Sequence, residues 1–227
     1  MHSLLNIAPN AIALLLVDLQ EEHRRDQRFL AADYAGTLAN AARLLAAARQ
    51  SGVAVYHARY VRDFANVPPR PFEITAANGE PGFSDVNGGL TDICPEVAPL
   101  PGETVLVKND ASSFAGTDLS NALKNNNIEW LVVAGAWTEA CVAATLRDAI
   151  SLGFCALLVK DACASGTATM HRVGILNLAN RLLGGAVADT ASAVRILSGA
   201  ESPVWRLQRM VPFRFDAETI DTLYDSL

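Results

Sequence analysis

Short unbroken apolar runs alternate along this chain with longer stretches in which apolar residues recur every three or four positions. Ala11–Val17 is apolar throughout and stops at Asp18, the pattern of a strand covered on both faces. Val53–Tyr60, Thr104–Lys108, Trp130–Gly135 and Phe154–Lys160 repeat it, and Ala186–Ala188 adds a short sixth run. Helix-period segments separate them at Thr37–Gln50, Asp118–Asn125, Thr138–Leu152, Ala168–Leu183 and Thr190–Leu197. Gly52 follows the first helix where a glycine commonly ends one. This order of elements is that of repeated βαβ units. It predicts an α/β fold, a three-layer doubly wound (Rossmann-like) sheet of about six mostly parallel strands with helices on both faces.

Two stretches break the rhythm. Residues 62–102 hold seven of the ten prolines and five of the fifteen glycines, with little strand or helix pattern. A connection that long inside one domain is expected to serve as a lid or substrate loop. Residues 201–227 follow the last helix and carry Trp205, Phe213, Phe215 and Tyr224, so this extension is expected to pack on its own or a neighbouring subunit. A length of 227 residues suits one domain spanning residues 1–227.

Apolar residues make up 51% of the chain and charged residues 19%, which fits a large buried sheet. A net charge of −6 argues against nucleic acid or an anionic membrane as partner, since both require a basic surface. No apolar run reaches membrane-spanning length and the first ten residues do not read as a signal peptide, so the expected location is the cytoplasm. Four cysteines (Cys94, Cys141, Cys155, Cys163) form no C-x-x-C pair and have no histidine at ligand spacing. Neither a disulfide framework, a metal site nor any cofactor is expected.

Ligands of open parallel sheets bind beyond the carboxyl ends of the strands. Three reactive residues fall there: Asp18, Lys108 and, just past the fourth strand, Cys141. Taken singly, each has two readings. Asp18 is a turn cap or a base. Lys108 is a snorkelling surface lysine, or a cation that holds a carboxylate ionised and lowers a thiol pKa. Cys141 is a core cysteine or a nucleophile. Thr138 as N-cap would set Cys141 in the first helical turn, where the helix dipole favours a thiolate and free amides face the cleft. Cys155 within a strand, Cys163 in the turn after it, and Cys94 in the long loop read as structural. His57 reads as a satisfied strand residue. No G-x-G-x-x-G, P-loop or G-x-S-x-G motif is present, against dinucleotide binding, P-loop chemistry and a serine hydrolase.

Four segments in order carry a resemblance: Leu15–Gln20; Val107-Lys108 with Ser113–Leu119; Gly135–Val142 with Thr145, Asp148 and Ala149; and Val159–Ser165 with His171. Together they resemble the isochorismatase-like cysteine hydrolases, the superfamily of nicotinamidase and N-carbamoylsarcosine amidase, over residues 12 to about 197. The resemblance implies an Asp18–Lys108–Cys141 triad, a cis Ala136–Trp137 peptide, and an oxyanion hole of the Trp137 and Cys141 amides. It further implies hydrolysis of an amide, ureide or carbamoyl C–N bond through a Cys thioester, and assembly as a homodimer or homotetramer. The chain departs from the pattern at Glu21-Glu22-His23, where a Phe is usual, and at Trp137, usually smaller. The Asp-x-His metal pattern of nicotinamidases is missing: no His follows Asp63. Gln20, Arg59, Phe64, Arg70, Phe72, Phe114 and Trp137 are the candidate contacts to a small-molecule amide substrate. A vinyl-ether hydrolase and a catalytically idle scaffold on the same fold are the competing readings.

Overall fold

Along one central strand Ile12, Leu14 and Leu16 point into one apolar core while Ala13, Leu15 and Val17 point into another, and none is more than 2% exposed. Burial on both faces is what makes the run apolar at every position rather than at alternate ones. In the computed structural model, which describes all 227 residues, this strand is β2 (Ile12–Val17) of an eight-stranded sheet. The others are β1 (His2–Leu5), β3 (Ala54–Tyr60), β4 (Thr104–Lys108), β5 (Trp130–Ala136), β6 (Cys155–Ala164), β7 (Ala186–Ala188) and β8 (Ser202–Arg206). The helices are α1 (Glu22–Arg25), α2 (Tyr34–Gln50), α3 (Leu119–Asn125), α4 (Ala143–Ser151), α5 (Ala168–Ala179), α6 (Thr190–Leu197) and α7 (Ile220–Asp225).

The sheet order is β1-β8-β7-β6-β5-β2-β3-β4. Strands β2 to β7 are parallel, as the βαβ rhythm predicts, and β1 and β8 add two antiparallel strands to the expected six. The chain winds outward from β2 through β3 to β4, then returns to β5 on the other side of β2. The strand order therefore reverses between β2 and β5, which opens a crevice beyond their carboxyl ends. Asp18 leaves one of these strands and Trp137 the other.

Several expected boundaries shift for physical reasons. Pro203 argues against a strand at 202–206, yet β8 pairs with β7 only through Trp205 and Arg206, so the proline sits where no β7 partner is required. A bulge between Val133 and Gly135 lets β6 run on beyond Lys160 to pair Gly135 with Cys163 and Ala136 with Ala164. Cys163 is thus a buried strand residue, not a turn residue, and Cys94 is fully buried in the core despite its place in the long loop. The 201–227 extension packs on its own chain, with Trp205 against Phe213 at 5.2 Å and Tyr224 against His171 at 5.6 Å. The 62–102 segment is held by isolated bridges Arg62–Asp85, Thr75–Pro81 and Gln20–Ile93.

Gly135 on β5 pairs with Val17 at the end of β2, where the two halves of the sheet meet. Its φ is +143°, and a Cβ there would lie 2.0 Å from the Val17 carbonyl oxygen, one residue before Asp18. No side chain can relieve that overlap, because both partners are main chain in the sheet centre. Gly135→Ala is expected to cost roughly 3 kcal/mol or more, read as a fall in the thermal midpoint. An alanine protein with a wild-type midpoint would show that the strands can part here.

Candidate active site

Asp18 is carried out of β2 in a left-handed conformation, φ +50°, while its amide still donates to Ala58 O at 2.9 Å. Such a φ is unusual for a non-glycine residue, though aspartate tolerates it, and it turns the carboxyl group under the strand ends. Gln20 fixes the turn. Its Oε1 accepts from Tyr60 N (2.6 Å) and its Nε2 donates to Tyr60 O (3.0 Å), locking the end of β2 to the end of β3. Gln20 is therefore a buried clamp and does not line the cavity expected of it.

Lys108 ends β4 with a fully buried side chain. Its Nζ lies 2.7 Å from Asp18 Oδ2, donates to Asp110 O at 3.0 Å and sits 4.7 Å from the Tyr60 ring centre. Asp18 Oδ1 is buried and has no hydrogen-bond partner. Burial raises the Asp18 carboxyl above its ordinary value, and the nearby Lys108 ammonium only partly offsets this. Burial and the Lys108 contact thus act on this carboxyl in opposite senses, and the Cys141 thiol is its other polar neighbour.

Cys141 faces this pair from a wide π-type turn, Thr138–Val142, that precedes α4. Thr138 was expected to cap that helix. Instead its hydroxyl donates to Ala164 O (3.0 Å) and lies 2.8 Å from His171 Nδ1, which ties the turn to β6 and α5. Trp137 precedes the turn, after a cis Ala136–Trp137 peptide. The Trp137 carbonyl receives the amides of Ala140 (3.0 Å) and Val142 (3.2 Å) and skips that of Cys141. The Cys141 thiol is pushed up to about 12 by burial first and the Asp18 charge second, against a smaller opposing pull from Lys108. The expected thiolate-favouring effect of Lys108 is outweighed by burial and the Asp18 charge.

Above these residues lies a cavity of about 460 Å³. Asp18, Ala136, Ala140 and Cys141 form its base; Phe29, Tyr60, Phe83, His23 and Trp137 form its walls; Glu22, Ser84, Arg28, Asp110 and Ala111 complete it. Of the seven expected contacts, Trp137 alone lines it. Arg59 pairs with Asp92 (3.6 Å), Phe64 covers the Arg62 guanidinium (5.2 Å), Phe72 is 79% exposed, and Phe114 stacks on Phe154 (6.0 Å). Arg70 stands behind the rim, bonded to Asp110 at 2.7 Å. Glu22, His23, Phe29, Tyr60 and Phe83 line the cavity without being among the expected contacts. The departure at Glu21-Glu22-His23 was the available signal for two of them. Phe83 has none, because a loop's aromatic residues cannot be ranked before the loop's path is known.

The remaining histidines are engaged elsewhere: His2 with Ser226 O, His57 with Glu103, and His171 with Thr138 and Tyr224. No group of three His, Cys, Asp or Glu side chains is arranged to hold a metal ion, and no helix is long and apolar enough to cross a membrane.

The arrangement has relatives. A family model described as the isochorismatase domain matches residues 12–192. The isochorismatase family protein YddQ of Bacillus subtilis is 32% identical over 155 residues, covering 68% of this chain and 78% of its own. The ureidoacrylate amidohydrolase RutB of Variovorax paradoxus is 28% identical over 186 residues, covering 73% and 74%. Among solved structures, an isochorismatase family protein from Desulfovibrio vulgaris superposes with a TM-score of 0.71 at 25% identity, covering 83% of this chain and 98% of that one. With the parallel sheet, its crevice at β2 and β5 and most of the chain so matched, this protein belongs to the isochorismatase family.

Proposed function

We propose that the protein is a cysteine amidohydrolase that cleaves a C–N bond of a small molecule through a Cys141 thioester. The observation that carries this reading is the Cys141 thiol facing a buried Asp18–Lys108 ion pair at the base of an otherwise aromatic cavity. The kinship with RutB, an amidohydrolase, supports the reaction class.

Burial pushes both the Cys141 thiol and the Asp18 carboxyl up, which favours a concerted order of events. Asp18 takes the Sγ proton as sulfur bonds to the substrate carbonyl carbon, and the carbonyl electron pair moves onto oxygen. That oxyanion is received by the Trp137 and Cys141 amides; the Trp137 N–H has no acceptor within the protein. Collapse breaks the C–N bond, and Asp18 returns its proton to the departing nitrogen, giving ammonia or an amine and a thioester. Water then attacks the thioester while Asp18 removes its proton, and collapse releases the carboxylic acid and restores the thiol. Lys108, 2.7 Å from Asp18, favours the ionised form of that carboxyl between turns.

Intact-protein mass spectrometry after rapid acid quench tests the covalent step. During turnover a mass increase equal to the acyl group is expected on the peptide containing Cys141, removable by neutral hydroxylamine. Steady ammonia release with no adduct on that peptide, even at quench times shorter than one turnover, would exclude the thioester.

A further inference from the structure

The charges around the cavity are already matched, with one exception. Lys108 is paired with Asp18, and Asp110 with Arg70. Arg28, the one arginine among the lining residues, is held by Asp26 through both Nε (3.0 Å) and Nη2 (2.6 Å), and by the Gly82 carbonyl (3.0 Å). Glu22 alone makes no salt bridge, although its charge is felt by the Arg28 guanidinium and the His23 ring. It is buried, and its two oxygens receive the Ser84 amide (2.7 Å) and hydroxyl (2.5 Å). Those bonds fasten Phe83 in place. Phe83 stacks on Tyr60 at 5.6 Å and meets Phe29 at 5.8 Å, so three rings make one continuous wall. The cavity therefore offers aromatic surface and an excess of negative charge, with no free cation to receive a carboxylate.

The opposite wall supplies a donor. Trp137 Nε1 donates to His23 Nδ1 at 3.2 Å. An indole N–H can only donate, so Nδ1 accepts it in the tautomer whose proton resides on Nε2; in the other tautomer Nδ1–H donates to the Phe29 carbonyl at 3.3 Å. His23 Nε2 has no partner within the protein, and burial lowers the His23 pKa, which keeps the ring neutral near pH 7.

Resting on the amidohydrolase reading, we infer that the scissile amide is carried on an uncharged, planar aromatic or apolar group with a hydrogen-bond acceptor for His23 Nε2, and that carboxylate-bearing amides are rejected. This separates the chain from RutB, whose named substrate, ureidoacrylate, is a carboxylate.

Three matched amides test the inference: benzamide, 4-acetylbenzamide and 4-carbamoylbenzoate, each assayed for ammonia release and, with Cys141→Ala protein, for binding by titration calorimetry. The two neutral amides are expected to exceed the carboxylate at least about 30-fold in both kcat/KM and affinity, as a buried unpaired like charge implies. Glu22→Gln retains an acceptor for Ser84 and is expected to narrow that gap about tenfold. His23→Leu is expected to lower kcat/KM for 4-acetylbenzamide more than for benzamide. Equal or better hydrolysis and binding of 4-carbamoylbenzoate would overturn the inference and leave the amidohydrolase reading intact. Preferential binding of the neutral amides without turnover of any would instead uphold the pocket chemistry and count against that reading. Binding of none would overturn the inference outright.

Discussion

Cys141→Ala is expected to lower kcat/KM by about four orders of magnitude or more, since it removes the proposed nucleophile and leaves only binding and oxyanion stabilisation. The fold should survive, because Cys141 is only partly buried and the turn that carries it is fixed by other residues. Thr138 bonds to Ala164 and approaches His171, and a Cβ on Gly174 of α5 would lie 2.9 Å from the Thr138 methyl. Circular dichroism and the thermal midpoint should therefore match those of the parent. Cys141→Ser is expected to fall nearly as far. A serine hydroxyl is a much weaker acid than a thiol, and an ordinary Asp–Lys pair has no imidazole to accept its proton. The decisive measurement is ammonia release with enough protein to detect a 10⁴-fold loss. Turnover within tenfold of the parent would require another nucleophile. Neither Cys163, buried in β6, nor Cys94, buried under α2, lines the cavity.

The parts of this site that could be read from sequence are those fixed by the sheet. Asp18, Lys108 and Cys141 follow apolar strands, and the carboxyl ends of parallel strands converge, so three residues far apart in the chain can be placed together without a structure. The parallel core was legible for the same reason: burial on both faces leaves an unmistakable apolar run. The antiparallel strands β1 and β8 left no such mark. They are four and five residues long, and one contains a proline. The cavity walls were illegible in a different way. Gln20 and Tyr60 lie close together on neighbouring strand ends, yet one turns inward as a clamp and the other outward as a wall. Arg59, the neighbour of Tyr60 on β3, faces the opposite side, as strand alternation requires. In the 62–102 segment there is no period to follow. Phe64, Phe72 and Phe83 are equivalent as sequence, and only the Glu22–Ser84 bonds select Phe83. At Cys141 the pKa shift has the opposite sign to the one its sequence context suggests. Proximity to a cation and a helix start suggested a lowered thiol pKa, but burial and the adjacent Asp18 charge dominate.

That inversion makes Asp18 the residue on which pH dependence turns. With the thiol pushed up, the proposed mechanism relies on proton transfer to Asp18 as the carbon–sulfur bond forms. Asp18→Asn is expected to lower kcat/KM by roughly 10³-fold or more, the scale of losing a general base that also serves the leaving group. In the parent protein the carboxyl must be ionised, and burial raises its pKa above the ordinary carboxylate value. Activity should therefore fall, as pH is lowered, at a pH higher than an exposed aspartate would give. Lys108→Met removes the charge that opposes this rise, so the acid limb should move to still higher pH while the maximum rate drops. The stability effect has the opposite sense. A carboxyl whose folded pKa is raised favours folding below its unfolded pKa, and that contribution is lost as pH rises through the folded pKa. Ionised Asp18 is thus a net cost to the fold at neutral pH, and Lys108 limits it. The double variant Asp18→Asn/Lys108→Met removes both buried charges and should be at least as stable as Lys108→Met alone, since isolated buried charges cost more than a neutral pair. Profiles of kcat/KM against pH for parent and Lys108→Met, with thermal midpoints for the three variants, decide the matter. An acid limb that stays in place when Lys108 is neutralised would mean that a group other than Asp18 sets it.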